Sequence, residues 1–196
     1  TLLAFLNAGY TEEATVWQHW LVRVIAGAPE QLQTMYSVMG DKRLDELELG
    51  HLPGYENSRP VRIGNAAAQQ MQLDIYGELM DSIYLYDKWG EQIHWDLWES
   101  VVRMVDWVAS NYAQKDEGIW ETRSGPQHFL YSRLMCWVAL DRGLRLAEKR
   151  SLPAPRARWL AVRDEIYREI QEKFYDPEVG AYVQHLGSKT LDAAAL

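Results

Sequence analysis

The sequence predicts an all-α protein, arranged as a layered toroid in which inner helices are wrapped by outer ones. Three observations predict it. Apolar residues recur at spacings of three and four over stretches of helical length. The long Gly/Pro-rich stretch between Gly40 and Gly64 holds no convincing strand. Helices that are apolar on nearly every side alternate with helices that are apolar along one stripe. That alternation fits two concentric layers better than a plain bundle, which rarely sheathes alternate members.

The elements follow in order. Thr1–Gly9 reads as the last turns of an apolar helix, stopped at Gly9. No charged and apolar leader of signal-peptide type is visible. Glu12 to Ala26 is amphipathic, with Thr11 as N-cap, Glu12 and Glu13 in the first turn, and a stripe of Trp17, Trp20, Leu21 and Val24. Gly27 and Pro29 end it, and a short helix is expected over Gln31–Val38. From Asn65 to Asp87 apolar residues cover most of the cylinder (Met71, Leu73, Ile75, Tyr76, Leu79, Met80, Ile83, Tyr84), which predicts a helix buried on nearly all sides. Trp95 to Tyr112 is one-faced: Trp98, Val101, Val105, Val108 and Tyr112 oppose Glu99, Arg103 and Asp106. Phe129 to Leu140 is again almost continuously apolar and runs into the more polar Asp141–Lys149. Arg156 to Lys173 is one-faced, with Trp159, Val162, Ile166, Ile170 and Phe174 on its stripe. Asp176–Gly180 is a turn, Ala181–Leu186 a short extended piece, and Thr190–Leu196 the beginning of another helix. Starting in one helix and stopping in another, the chain is expected to be an excerpt from a longer protein.

Composition excludes several functions. Of 196 residues, 47% are hydrophobic and the formal net charge is −8, so no basic field gathers phosphate; neither nucleic acid nor an anionic membrane is expected as a partner. No apolar run approaches the ~20 residues that span a bilayer. One cysteine, Cys136, allows no internal disulfide and no cysteine-rich zinc site. Phosphate-binding, dinucleotide, zinc-protease and C-x-x-C motifs are absent, and the five histidines lack ligand spacing, so neither cofactor nor metal is expected. Nine Trp and eleven Tyr against three Phe supply flat apolar faces with hydrogen-bonding tips, suited to a core or to a sugar-binding cleft.

Two segments hold polar residues that folding explains least. In Leu52–Asn65, prolines and glycines fix the backbone and Arg59 and Arg62 sit three apart. Guanidinium forks suit carboxylates and also vicinal sugar hydroxyls; the plainer reading is a solvated loop whose arginines neutralise nearby acids. In Asp116–Pro126, three carboxylates (Asp116, Glu117, Glu121), Trp120 and Arg123 share a short loop. A carboxyl packed on an indole among other carboxylates has a raised pKa, as a general acid requires near neutrality. The plainer reading is a decorated surface turn.

These residues resemble a family. Leu52-Pro53-Gly54-Tyr55, Ser58-Arg59-Pro60-Val61-Arg62-Ile63-Gly64-Asn65-Ala66-Ala67 and Gln72-Leu73-Asp74-Ile75-Tyr76-Gly77-Glu78 resemble bacterial members of glycoside hydrolase family 15, the glucoamylase, glucodextranase and trehalase-like enzymes. Gly118-Ile119-Trp120-Glu121 with Gly125-Pro126-Gln127-His128-Phe129 resembles their general-acid segment, and Leu191-Asp192-Ala193 the start of a further block. The resemblance implies an (α/α)6 barrel, here a partial one, with residues 1–196 belonging to a single catalytic domain truncated at both ends. It implies inverting hydrolysis of terminal α-glucosidic bonds, glucoamylase-like with release of β-glucose, or the α,α-trehalase reaction of the same family. Glu121 matches the general acid, Trp120 lines the cleft beside it, and Arg59 and Arg62 match the sugar-contacting arginine loop. Asn65 and Arg123 are carried over by motif position as further substrate-binding residues. The partner is then an α-glucoside oligosaccharide or disaccharide. The general base matches no glutamate of this chain, so the isolated piece is expected to be inactive. A cytoplasmic location is expected, and the sequence sets no oligomeric state. A helical carbohydrate-binding or scaffold module without catalysis is the alternative of a different class.

Overall fold

A computed structural model describes residues 2–25, 27–120 and 125–195. Among them are six α-helices: α1 (Leu2–Ala8), α2 (Thr11–Ile25), α3 (Asp74–Trp89), α4 (Trp95–Asn111), α5 (Leu130–Lys149) and α6 (Arg156–Lys173). Four two-residue strands form two small antiparallel ribbons: β1 (Leu47–Glu48) with β2 (Arg62–Ile63), and β3 (Tyr175–Asp176) with β4 (Ala181–Tyr182). The chain is all-α in class, and it divides into two compact units, Thr1–Leu32 with Gln72–Leu196, and Gln33–Met71.

In the larger unit the alternation of helices is the inner and outer alternation of an (α/α)6 barrel. α3 and α5 are buried around most of their circumference, including Tyr76, Leu79, Met80 and Ile83 on α3 and Met135, Cys136, Ala139, Leu140 and Leu146 on α5. α4 buries one stripe, with Trp98, Val101, Val105 and Val108 essentially inaccessible, and α6 buries little beyond Trp159, Ile166 and Ile170. A Cβ on Gly77 would lie 2.2 Å from the Met135 carbonyl, so glycine is what lets the two inner helices approach so closely.

Polar contacts fix the helix directions. The start of α3 and the first turn of α5 meet at Asp116, which accepts from the Leu73 amide (2.9 Å) and the Ser132 hydroxyl (2.7 Å). Near the other ends, buried Asp87 of α3 pairs with Lys149 and Arg150 (2.9 and 3.0 Å). α3 and α5 are therefore parallel. α4 runs back between them, since Trp98 near its start donates to the Pro153 carbonyl (3.0 Å) just beyond α5. α6 also opposes α5, because Arg133 of the first turns of α5 lies 3.2 Å from Glu169 near the end of α6. The N-terminal ends of the inner helices, and the segment entering α5, thus share one end of the layer.

Part of the aromatic excess is core, with Tyr76, Tyr86, Trp98 and Trp159 buried, while Trp89, Trp95, Trp120 and several tyrosines are exposed. Trp98 and Trp159 pack edge to face at 6.3 Å, and Tyr76 stacks on Trp107 at 4.6 Å. Asp106, expected to face solvent, instead takes the Trp159 indole N–H (2.7 Å), because a buried indole needs an acceptor.

Several boundaries differ from expectation. Thr11 is the first residue of α2 rather than its cap: the turn at Gly9 (φ 83°) ends α1 with the Tyr10 amide bonded to the Phe5 carbonyl, and the Tyr10 carbonyl already accepts from Ala14. Trp17, Trp20 and Leu21 of its predicted stripe are half-buried, while the Val24 side chain lies outside the described residues. No helix spans 31–38; Pro29–Gln31 makes one 3₁₀ turn, after which the Gln33 and Thr34 side chains bond to the Ala68 and Ala67 carbonyls (2.6 and 2.9 Å). The inner helix expected from Asn65 begins only at Asp74, because the Asn65 side chain caps a separate 3₁₀ turn, Ala66–Gln69, and Gln70 is extended. The segment read as strandless contains β1 and β2. The start of a helix predicted at the C-terminus is a 3₁₀ turn, Ala193–Ala195.

Candidate active site

The arginine segment lies wholly in the smaller unit and is held by local turns. β1 and β2 pair Leu47 with Ile63 and Glu48 with Arg62. Gly64 (φ 75°) follows, and a Cβ there would stand 1.9 Å from the Asp45 carbonyl, so the return of the ribbon requires glycine. The Arg59–Pro60 bond is cis. Arg59 and Arg62 both line a cavity of about 430 Å³, with Leu52 and Pro60. They differ in engagement. Arg62 bonds to Glu48 (3.0 Å) and pairs with Glu46 (3.4 Å), the neutralising role that the plainer reading assigned to it. Arg59 makes no hydrogen bond or ion pair among the described residues. Asn65 commits its carbonyl oxygen to the Ala67 amide (2.9 Å), which makes it a turn cap.

The acid loop lies in the larger unit, between α4 and α5. Its ends are closed by a pair of backbone bonds between Asp116 and Gln127 (3.0 and 2.9 Å). Two residues on, Phe129 bridges to His185, with the Leu130 amide bonded to Gln184 and the Leu186 amide to His128. Three chain segments, around 116, 128 and 185, therefore form one backbone frame beneath the loop.

Trp120 projects from that loop, 54% exposed, with its indole Nε1 donating to Asp192 Oδ1 at 2.7 Å. Glu121 and Arg123 lie outside the described residues. Asp116, whose plainer reading was surface decoration, is 1% exposed. Burial raises its pKa against the hydrogen bonds from Ser132 and Leu73 that pull it down. Beside it, Asp74 at the start of α3 is pushed up to about 7, first by burial and then by the charges of Asp116 and Glu78. Arg133, equally buried, offers Nη2 to His128 Nδ1 (3.0 Å) and lies over the Tyr112 ring (5.3 Å). Burial and the Arg133 charge both lower the pKa of His128, and because a guanidinium can only donate, Nδ1 is the acceptor of that bond.

Sequence reasoning placed Asp116 among the carboxylates of the acid loop but not in the interior, and it did not single out Arg133 or Asp192. For Asp192 a signal existed, since Leu191-Asp192-Ala193 stood out as a motif without a role. The burial of Asp116 and the place of Arg133 gave none, because burial of a charge is a tertiary fact. Among the described residues, no group of His, Cys, Asp and Glu is arranged to hold a metal ion, and no helix is long and apolar enough to cross a membrane.

With this geometry in view, comparison with known proteins decides the family. Glycosyl hydrolases family 15 matches residues 1–196. The chain belongs to that family. It is 46% identical over 165 residues to a trehalase of Mycobacterium tuberculosis, covering 84% of this chain and 24% of that protein. It is 35% identical over 193 residues to a trehalase of Thermoplasma acidophilum (98% and 33%), and 44% identical over 142 residues to trehalase 1 of Sulfolobus acidocaldarius (71% and 25%). The chain spans about a quarter to a third of the length of these relatives. No solved structure matches significantly.

Proposed function

We propose that this chain carries the general-acid half of an inverting α-glucoside hydrolase of trehalase type, with Glu121 as the proton donor and α,α-trehalose as the substrate. The observation that carries the substrate is the shared description of the relatives: the similar proteins named above are all trehalases. The motifs alone left glucoamylase-like and trehalase-like hydrolysis open, and this likeness favours the second.

The chemistry follows from charge. Both carbons flanking the glycosidic oxygen of trehalose are anomeric, and neither C–O bond breaks readily unless the oxygen gains a proton as it departs. Un-ionised Glu121 donates that proton, and positive charge spreads between C1 and the ring oxygen of the glucose left behind. Water activated by a second carboxylate, assigned to no residue of this chain, attacks the opposite face. Inversion turns that unit into β-glucose, while the leaving unit departs as α-glucose. The two carboxyls of such a pair stand roughly 6.5–9.5 Å apart to admit the water. Trp120 offers an apolar face beside the acid and limits its hydration, Arg59 and Arg62 supply donors to sugar hydroxyls, Arg123 joins the binding set, and Asn65, whose side-chain oxygen caps the next turn, has only its amide N–H groups to offer. The rigid frame under the loop and the unengaged Arg59 support this reading.

The test is the whole protein assayed on trehalose, maltose and isomaltose, with the anomers of the product followed by NMR. Trehalose turnover giving equal initial α- and β-glucose is expected, and Glu121→Gln lowers kcat at least ~10²-fold. Turnover of maltose or isomaltose without trehalose returns the glucoamylase-like reading. Binding without turnover returns the scaffold module.

A further inference from the structure

We infer that Asp192 is a positioning residue for Trp120, fixing the plane of an exposed indole on which a sugar ring stacks. The inference rests on the reading of Trp120 as a cleft residue and goes beyond it by naming what aims the ring.

An indole with more than half its surface in solvent has little packing to choose its rotamer, and left alone it samples several. Here one charge-assisted bond chooses it: Nε1–H donates to Asp192 Oδ1 at 2.7 Å across 72 residues of sequence. The acceptor is itself held. The same Oδ1 takes the Ala194 amide (2.9 Å), and the Asp192 carbonyl takes the Ala195 amide (3.1 Å), so the carboxylate caps the final 3₁₀ turn. The segment bearing it is closed by the Gln184 amide on the Thr190 carbonyl (2.8 Å) and by Thr190 on the Ser188 hydroxyl (2.8 Å). Gln184 and Leu186 are bonded in turn to Leu130 and His128. The loop that carries the ring and the segment that aims it therefore stand on the same backbone stretch, residues 127–130. Both ends of the indole bond are referenced to one frame, and the ring meets its ligand already ordered.

Asp192 touches no reacting atom in this scheme. It acts by removing the ordering cost of an aromatic side chain on binding, which is worth roughly three- to tenfold in affinity. Its signature is a change in KM with kcat largely kept, and a dependence on the indole N–H.

The experiment uses the whole protein with Asp192→Ala, Asp192→Asn, Trp120→Phe and the double variant Trp120→Phe/Asp192→Ala. Steady-state kinetics on trehalose, maltose and isomaltose are combined with the ¹⁵N–¹H indole signal of Trp120, assigned by its loss in Trp120→Phe. Asp192→Ala is expected to raise KM roughly three- to tenfold with kcat within about twofold, and to move the indole signal towards that of a solvent-bonded ring. Asp192→Asn keeps an oxygen acceptor and restores most of the affinity. In the Trp120→Phe background, Asp192→Ala adds nothing further to KM. An unchanged KM in folded Asp192→Ala, or additive effects in the double variant, overturns the inference. If Asp192→Ala does not fold, Trp120→Phe removes the donor together with part of the stacking face, and an unchanged KM there overturns the inference equally. A wild-type protein without binding or turnover of any of the three sugars defeats the cleft reading instead. That outcome is distinct from an active wild type indifferent to Asp192.

Discussion

The arginine segment and the acid loop carry the family's two motifs, and they are built in opposite ways. Residues 44–65 hold themselves. β1 and β2 pair at short range, Gly64 supplies the positive φ, Asn65 caps the following turn, and the ion pairs of Arg62 are with Glu46 and Glu48 on the neighbouring strand region. Among the described residues of 116–129, the local bonds are chiefly the backbone pair between Asp116 and Gln127. Their frame depends on Leu73, Ser132, Arg133, Gln184 and Leu186, and the exposed ring at the tip depends on Asp192. Under the proposed function, a segment that presents cations to a ligand is served by rigid turns, whereas a loop proposed to carry a proton donor and a stacking face has to be held against the helices of the layer, because small displacements at the reacting atoms are costly.

That contrast gives a ranked set of expectations. The largest effect belongs to Asp116→Ala, which strands the Leu73 amide and the Ser132 hydroxyl in the interior and unties the starts of α3 and α5. Urea unfolding of the whole protein is expected to show a loss of about 3–5 kcal/mol, with activity falling alongside. A loss below about 1 kcal/mol would mean that the frame is not what closes the loop.

Next comes Asp74→Asn, whose sign depends on pH. Ionisation of Asp74 is held up to about pH 7 in the fold, whereas in the unfolded chain it is complete well above about pH 4. The folded state therefore binds the extra proton between those limits. Stability drawn from this site is present at acid pH and is lost as pH rises towards and through 7. Asn keeps the shape without the charge, so the variant is expected to exceed the wild type by up to about 4 kcal/mol at pH 8 and to converge with it near pH 4. Equal stability curves across that range would remove the buried charge from the account.

The smallest effect is Arg62→Ala in the arginine segment. Its ion pairs are partly exposed, so stability should change by about 0.5 kcal/mol or less, while KM for the sugar rises. A large stability loss here would show that the segment depends on its charges rather than on its turns.

Much of the architecture was legible in the sequence. The one-faced stripes of α4 and α6 and the all-round apolar pattern of α3 and α5 gave the layers, because helix burial is written in the 3.6-residue period. The turn at Asp176–Gly180 and the extended start of Ala181–Leu186 were legible for the same local reason, whereas the partner strand Tyr175–Asp176 was not, and the ribbon strand covers only Ala181–Tyr182. The boundary of α3 was not: apolar residues continue through Met71 and Leu73, and only the cap at Asn65 and the extended Gln70 separate a 3₁₀ turn from the helix. Of the candidate site, the sequence offered Arg59, Arg62, Asn65 and Trp120 on motif grounds, and the fold separates their roles. Arg59 is unengaged, Arg62 is paired, Asn65 is a cap and Trp120 is tethered. Glu121 and Arg123 rest on the motif alone.

By itself, then, the sequence determined the helical class, the alternation of buried and half-buried helices and the family, since periodicity and contiguous motifs are properties of neighbouring residues. Only the tertiary structure decided that Asp116, Asp74 and Arg133 lie in the interior and that Asp192 reaches Trp120. A carboxylate looks the same in sequence whether it meets water or an amide 43 residues away, and it is the folded surroundings that set its charge, its partners and its use.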